Sequence, residues 1–473
     1  MPRVCRQSRI AVFYAFVITL FALESLGVLP QWATQEHRAR SDRLRRAFFV
    51  LGICALPIAF ALQMWLLGEI CRAQPFVHPT TLPLPVIDDG SVTLILSRSW
   101  FAAALFVIAL VETAALWCVF RALDAQRPTI VDGALVGIAA AALATIAFCV
   151  PALSSADMYA YVSDGLLGRA AYTPPNVALS GEYGAVSAQW GTPIRPTPYG
   201  PVWVALNAWL LSFAGTLPGK IHVLQATGLA CIVALTALLR ACRLRPATCA
   251  LVLLNPFLYL QFVSNGHNDV WPVLLTVAAY AVARRQSYAA FPFAVAAGAM
   301  KLPFAAIGTL AFDGTGSAIR QISLAALAAI SGVAISLAFA GPGFVNGLYF
   351  QAASGGLTGG LALLQSPEHA VAAAIAIAAI CAALLGRRAP RSAVLTLPAL
   401  AVKLFPWYVI WCLPFALDDE PLMTRLLVAL PALGFLLESN VDVHWYLLGA
   451  FAAIVIAALP RIVHKMGPAR TTV

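Results

Sequence analysis

Charge is scarce in this chain. Of its 473 residues 11% are charged and 61% hydrophobic, and the mean hydropathy of +0.84 lies far above that of a soluble domain. Lysine is rarer still, with four residues in all: Lys220, Lys301, Lys403 and Lys465. The ten cysteines contain no C-x-x-C pair, and Cys54, Cys118, Cys149, Cys231, Cys381 and Cys412 lie inside apolar runs. They read as small core residues and not as a disulfide or zinc framework. No stretch alternates with the period of two that a closed membrane barrel needs. A Gly-rich dinucleotide fingerprint and a soluble Rossmann-type domain are also missing.

What the chain has instead is a succession of apolar runs, each roughly 17 to 25 residues long. In hydrocarbon each run must satisfy its own backbone hydrogen bonds, so helices follow. The predicted fold is all-α, a polytopic membrane protein of roughly 11–14 transmembrane or re-entrant helices with a large external loop. Residues 10–29 are too long for a signal core, contain Glu24 and lack a clean cleavage site, so they read as an anchor or an extra span. The formal charge of +10 comes from arginines clustered between apolar runs. Topology accounts for that placement, and no nucleic-acid partner is expected.

Basic residues favour the cytoplasmic ends of spans. Residues 38–46, Arg121 with Arg127, residues 240–245, Arg284 with Arg285, and residues 387–391 and 461–470 are therefore expected inside. Residues 154–201 then lie outside, with the Pro-rich stretch 72–99 and the turn Asn265-Gly266-His267-Asn268-Asp269. Arg3, Arg6 and Arg9 compete with the 38–46 cluster, so the amino terminus is left unassigned. Between several of these clusters the apolar runs are odd in number. Broken or re-entrant helices are expected near residues 201–217, 289–312 and 393–417, where non-helical backbone can line a cavity. Outward-facing arginines are the alternative.

Two of these suspect segments carry related sequences, Ala299-Met300-Lys301-Leu302-Pro303-Phe304 and Ala401-Val402-Lys403-Leu404-Phe405-Pro406. An ammonium inside an apolar run costs about 2.5–3.5 kcal/mol, which suggests an anionic partner for Lys301 and Lys403. The alternatives are a snorkelling side chain or a pair with an intramembrane acid such as Glu112. Asp157 follows the apolar run 130–150 and opens a segment rich in aromatics and proline, from Asp157-Met158-Tyr159-Ala160-Tyr161 to Thr197-Pro198-Tyr199-Gly200-Pro201. A carboxylate there suits proton abstraction at a membrane surface, although Ser154, Ser155 and Asp157 would also suit a helix cap. Aromatic faces bind sugars, and they also serve as interfacial anchors. His267 and Asp269, two residues apart, could share a ligand or a metal, but no third ligand is in view. No metal site is assigned, and a divalent metal is compatible with the pattern.

The order of Asp157-Met-Tyr-Ala-Tyr, Pro198-Tyr-Gly-Pro201, Asn255-Pro256, Gly266-His-Asn-Asp269, Lys301-Leu-Pro303 and Pro406-Trp-Tyr408 resembles the GT-C membrane glycosyltransferases. Among these the chain is most similar to the polyprenol-phosphomannose-dependent alpha-1,6-mannosyltransferases over about residues 130–417. In place of the compact Asn-Pro-Tyr turn of such relatives it has Thr173-Pro174-Pro175-Asn176. The resemblance implies N-terminal membrane helices with the external Pro-rich loop (1–129), a catalytic core with external loop 154–201 (130–417), and C-terminal helices with a basic tail (418–473).

It further implies a hexosyltransferase of the bacterial cytoplasmic membrane whose active site faces the periplasm or cell exterior. Its partners would be a polyprenyl-phosphate sugar donor, most simply of mannose, a glycan or lipid-linked acceptor, and membrane lipid. Asp157 matches the loop acid and is the expected base. Lys301, Lys403 and Arg169 are expected at the donor phosphate, and Tyr159, Tyr161, Tyr199, His267, Asn268, Asp269, Trp407 and Tyr408 around the sugars. Direct displacement needs a single carboxylate, so inversion is expected; a retaining route would require a second nucleophile, for which Asp164 or Asp269 are the only guesses. Two rival readings are a secondary transporter, which would show internal symmetry and midplane sites, and a polysaccharide polymerase or ligase, which would favour Arg-rich external loops.

Overall fold

A computed structural model describes residues 35–73, 99–125, 128–150, 155, 157–174, 179, 183–187, 194–312, 317–353 and 406–438. Lys403, the Pro-rich stretch after residue 73 and the basic tail lie outside these residues. The chain divides into two compact units, Met1–Phe48 and Phe49–Val473. In the first, residues 35–48 are helical. The second unit holds the rest of the fold.

Among the described residues no strand is present and fourteen α-helices follow one another. They are α1 (Gln35–Ala73), α2 (Ser99–Ala125), α3 (Ile130–Cys149), α4 (Asp157–Leu167), α5 (Tyr183–Ser187), α6 (Pro201–Leu211) and α7 (Leu217–Ala241). After these come α8 (Pro246–Leu253), α9 (Pro256–Leu258), α10 (Val270–Ala283), α11 (Phe291–Met300), α12 (Phe304–Ile307), α13 (Ala318–Ala353) and α14 (Glu420–Glu438). Five of the described helices contain segments long and apolar enough to cross a membrane: Arg43–Gly68, Ala103–Ala125, Ile130–Cys149, Leu217–Ala241 and Ile319–Phe350. The chain is an all-α, multi-pass membrane protein.

Local chemistry explains where these helices start and stop. The Thr129 hydroxyl accepts from the Asp132 amide at 3.2 Å while the Asp132 carboxylate accepts from the Thr129 amide at 2.9 Å, a reciprocal cap that starts α3. The 20 residues of α3 rise about 30 Å, one hydrocarbon thickness. The 11 residues of α6 rise only about 16 Å. Proline in its first turn sets its start, and the Lys220 ammonium donates to the carbonyls of Leu211 and Ala214, both at 2.7 Å, at its end.

The stretches expected to be broken or re-entrant near residues 201–217 and 289–312 hold short or interrupted helices. In the second, α11 stops at Met300, Lys301 is extended (φ −147°, ψ 120°), and α12 resumes after Pro303. The third expected stretch is described only from residue 406, where Pro406–Ala416 forms a 3-10 helix. A further break was not expected. Between α8 and α9 the axis bends by 43° at Asn255-Pro256, because proline forces an extended conformation on the residue before it. The Asn255 amide then donates to the Leu427 carbonyl at 2.6 Å, a contact made 172 residues away that no local pattern announces. A π-helical turn, Tyr259–Ser264, leads from there into the 265–269 turn.

The two ends of α10 differ in kind. Its start carries Asp269, and its end carries Arg284, which pairs with Asp418 at 2.6 Å. At the start of α8, Arg245 pairs with Asp124 and with Glu420. The 14 residues of α10 thus hold the 265–269 turn about 21 Å from Arg284.

Candidate active site

Asp157 is the first residue of α4, and the capping role falls to its neighbour. The Ser155 hydroxyl accepts from the Asp157 amide at 3.2 Å, which leaves the Asp157 carboxylate free to point elsewhere. Its Oδ2 lies 3.1 Å from His267 Nδ1 and accepts a long hydrogen bond from the Tyr161 hydroxyl at 3.5 Å. The Asp157 side chain is 20% exposed whereas that of His267 is 0% exposed, so the acid faces an opening and the imidazole supports it from within. Tyr161 is wedged edge-on between Tyr199 and Trp203, with ring centroids 5.3 and 5.2 Å away. Burial, reinforced by the charges of Asp157 and Asp269, holds its phenol well above the usual tyrosine range, so it stays protonated as a donor.

The turn that supplies His267 depends on Gly266. Its φ of +64° lies in the left-handed region, and a Cβ there would sit 2.5 Å from the Met158 side chain. The turn is pinned by the His267 amide donating to the Gln261 carbonyl at 3.0 Å and the Asn268 amide donating to the Tyr161 hydroxyl at 3.4 Å. Behind it lies a charge pair. Lys301 Nζ and Trp411 Nε1 both donate to Asp269 Oδ1, at 2.6 and 2.7 Å. The rings of Tyr408, Trp411 and Tyr199 surround the ammonium at 4.9, 5.3 and 5.6 Å. Trp407 stacks on His267 with centroids 3.6 Å apart.

The loop residues 194–200 are stitched to α4 and to the broken helix. Gly200 donates from its amide to the Met300 carbonyl at 2.9 Å, and a Cβ at this position would fall 2.0 Å from the Ala299 carbonyl oxygen, so only glycine permits the approach. The Tyr172 hydroxyl donates to the Tyr199 carbonyl at 2.9 Å. The Thr197 hydroxyl donates to Asp164 Oδ2 at 2.6 Å. Burial pushes the Asp164 carboxyl up to about 7; the Thr197 hydrogen bond opposes this and the Asp157 charge adds to it.

A carboxyl raised in the folded state binds more protons than in the unfolded chain, so stability falls as pH rises from the unfolded value of about 4 to about 7 and is level above. Asp164→Asn is expected to remove that slope, a gain of up to a few kcal/mol at pH 8 that vanishes at pH 4. Thermal melts of both proteins across that range test this, and equal slopes would refute it.

Among the residues singled out in the sequence, the structure brings together Asp157, Tyr161, Tyr199, His267, Asn268, Asp269, Lys301, Trp407 and Tyr408. Tyr159 packs in the core beside them, with 0% exposure. Arg169 stands apart, beyond the far end of the 11-residue α4, about 16 Å along the helix from Asp157. Its guanidinium lies 5.4 Å from the Phe339 ring. Lys301 is paired with Asp269 and not with Glu112, which is buried in α2. Trp411 and the Asp164–Thr197 bond were missed; the spacing of Trp407 and Trp411, one helical turn apart, was the available signal for the former. Among the described residues no three His, Cys, Asp or Glu side chains are grouped to hold a metal.

Residues 47–315, more than half of the chain, match the family described as alpha-(1->6)-mannopyranosyltransferase, N-terminal domain. No curated protein and no solved structure matches.

Proposed function

Because the chain belongs to the alpha-(1->6)-mannopyranosyltransferase family, we propose that this membrane mannosyltransferase takes its sugar from a polyprenyl-phosphate donor, in a GT-C arrangement, with Asp157 as base. The observation that carries the reading is the Asp157 carboxylate itself. It is freed from capping by Ser155, oriented by His267 and Tyr161, and open at one side of an otherwise buried aromatic site. A sugar hydroxyl is a poor nucleophile until a carboxylate within hydrogen-bonding reach takes its proton. As the acceptor oxygen bonds to the anomeric carbon, the bond from that carbon to the phosphate oxygen breaks. The proton goes to Asp157 and the electron pair leaves with the polyprenyl phosphate.

Direct displacement inverts the anomeric carbon, so an alpha-linked product requires a beta-linked donor. The leaving phosphate needs positive potential. Helices α4, α6 and α10 all begin at this site, and their aligned dipoles point positive ends toward it. Lys301 lies among them, its charge shared with Asp269, while Lys403 is the second proposed cation and Arg169 serves farther out. Tyr199, Trp407 and Tyr408 supply apolar faces for the sugars. The arginine pairs at the opposite end of α10 support a bacterial cytoplasmic membrane orientation with the site facing outward, toward an envelope glycan or lipid-linked acceptor.

Transfer of radiolabel from polyprenyl-phosphate mannose in membranes carrying the protein tests the proposal. The beta-linked donor is expected to label an alkali-stable glycan, and equal use of GDP-mannose without any lipid intermediate would rule out the donor assignment.

A further inference from the structure

We propose that Asn268 and Asp269, held by the turn that also carries His267, form the subsite that reads the 2- and 3-hydroxyls of the donor pyranose. The inference rests on the mannosyl-donor reading above and deepens it. Among the described residues four polar atoms on three successive side chains have no hydrogen-bond partner: His267 Nε2, Asn268 Nδ2 and Oδ1, and Asp269 Oδ2. All three residues are buried, with exposures of 1%, 1% and 0%. Buried polar atoms are normally paired, and leaving one unmade carries a large penalty, so four in one turn mark a place built for a ligand. The backbone of the same turn is by contrast well held, through Gln261 and Tyr161.

The chemistry of the free atoms selects the ligand. Asp269 has one oxygen occupied by Lys301 and Trp411 and the other open, so it offers a single acceptor backed by a cation. A bare carboxylate oxygen repels phosphate and attracts a hydroxyl hydrogen. The Asn268 amide offers a donor and an acceptor side by side. Each hydroxyl of a sugar both donates and accepts, so adjacent hydroxyls match this set. His267 meets the Asp157 carboxylate through Nδ1, 3.1 Å away, which leaves Nε2 as the ring's second polar atom for a hydroxyl, a group that can donate or accept. His267 joins this turn to the base, so the hydroxyls nearest the anomeric carbon are the ones that meet Asn268 and Asp269. Trp407, stacked on His267, and the stacked pair of Tyr408 and Trp411, 4.0 Å apart, supply the apolar surface for the ring.

The test uses the full-length protein in membranes with synthetic polyprenyl-phosphate donors carrying mannose, its 2-deoxy analogue or its 3-deoxy analogue. On the wild-type protein each deoxy donor is expected to lower kcat/KM by about 10- to 100-fold. Asn268→Ala is expected to lose a similar factor with the mannosyl donor and to show no further loss with at least one deoxy donor, because the same hydrogen bond is already gone. Deoxy donors as good as mannose on the wild-type protein would overturn the subsite without any variant needing to fold. Losses that multiply for both deoxy donors in Asn268→Ala would overturn it as well. A wild-type protein inactive with the mannosyl donor itself would instead overturn the donor reading, and the subsite with it.

Discussion

Asp157→Asn lowers kcat for mannosyl transfer by about 10²- to 10⁴-fold while the protein folds and binds donor normally. The size of the effect follows from the loss of the proton acceptor, since an amide of the same shape cannot take the proton of the attacking hydroxyl. Folding is expected to survive for two reasons. The helix cap is made by Ser155, and the Asp157 side chain is one-fifth exposed, so the variant buries no new polar atom. Thermal melts and donor-quenched tryptophan fluorescence would report intact folding and binding beside the lost rate. Full transfer activity in a well-folded Asp157→Asn protein would remove this residue as the base. His267 then becomes the alternative, because its Nδ1 lies 3.1 Å from the Asp157 side chain and its Nε2 has no partner among the described residues.

The sequence shows the class of fold because hydrocarbon imposes one rule on every span, and apolar runs report it directly. It shows Asp157, His267, Asp269 and Lys301 for the converse reason, since polar residues in so apolar a chain stand out. What it hides is which of these residues meet. Lys301 and Asp269 are 32 residues apart and Trp411 and Asp269 are 142 apart, and these pairings arise only when the break at Lys301 folds against the start of α10. Asn255-Pro256 is hidden in the same way, because the polar side chain is satisfied by Leu427 from a distant helix and the apolar pattern reads straight through. Arg169 lies close to Asp157 in sequence, and the rigid α4 sets the two apart along its length. The short helices near 201–217 and 289–312 fall where the apolar runs between arginine clusters are odd in number.

Lys301→Met is expected to destabilise the protein by about 3–5 kcal/mol, the usual cost of stranding one partner of a buried ion pair. The lysine side chain is 11% exposed and that of Asp269 is 0% exposed, so neither water nor lipid headgroups can replace the lost charge. Trp411 remains as a donor to Asp269, but one neutral hydrogen bond does not offset an unpaired carboxylate in an apolar surround. The double variant Lys301→Met, Asp269→Asn removes both charges and keeps an oxygen for Trp411, so most of the stability is expected to return. Activity is not expected to return with it, because the amide of Asp269→Asn lacks the second carboxylate oxygen proposed to accept from a donor hydroxyl. Melting temperatures of the two single variants and the double variant in detergent complete a thermodynamic cycle whose coupling energy is the measure of the pair. The outcome separates two roles for the lysine. A counter-ion gives strong coupling and a stability defect that neutralising Asp269 repairs. A phosphate ligand gives a stable Lys301→Met protein with a raised KM for donor and no coupling to Asp269. The 2.6 Å contact and the three aromatic rings closed around the ammonium form the pairing that such a coupling measures.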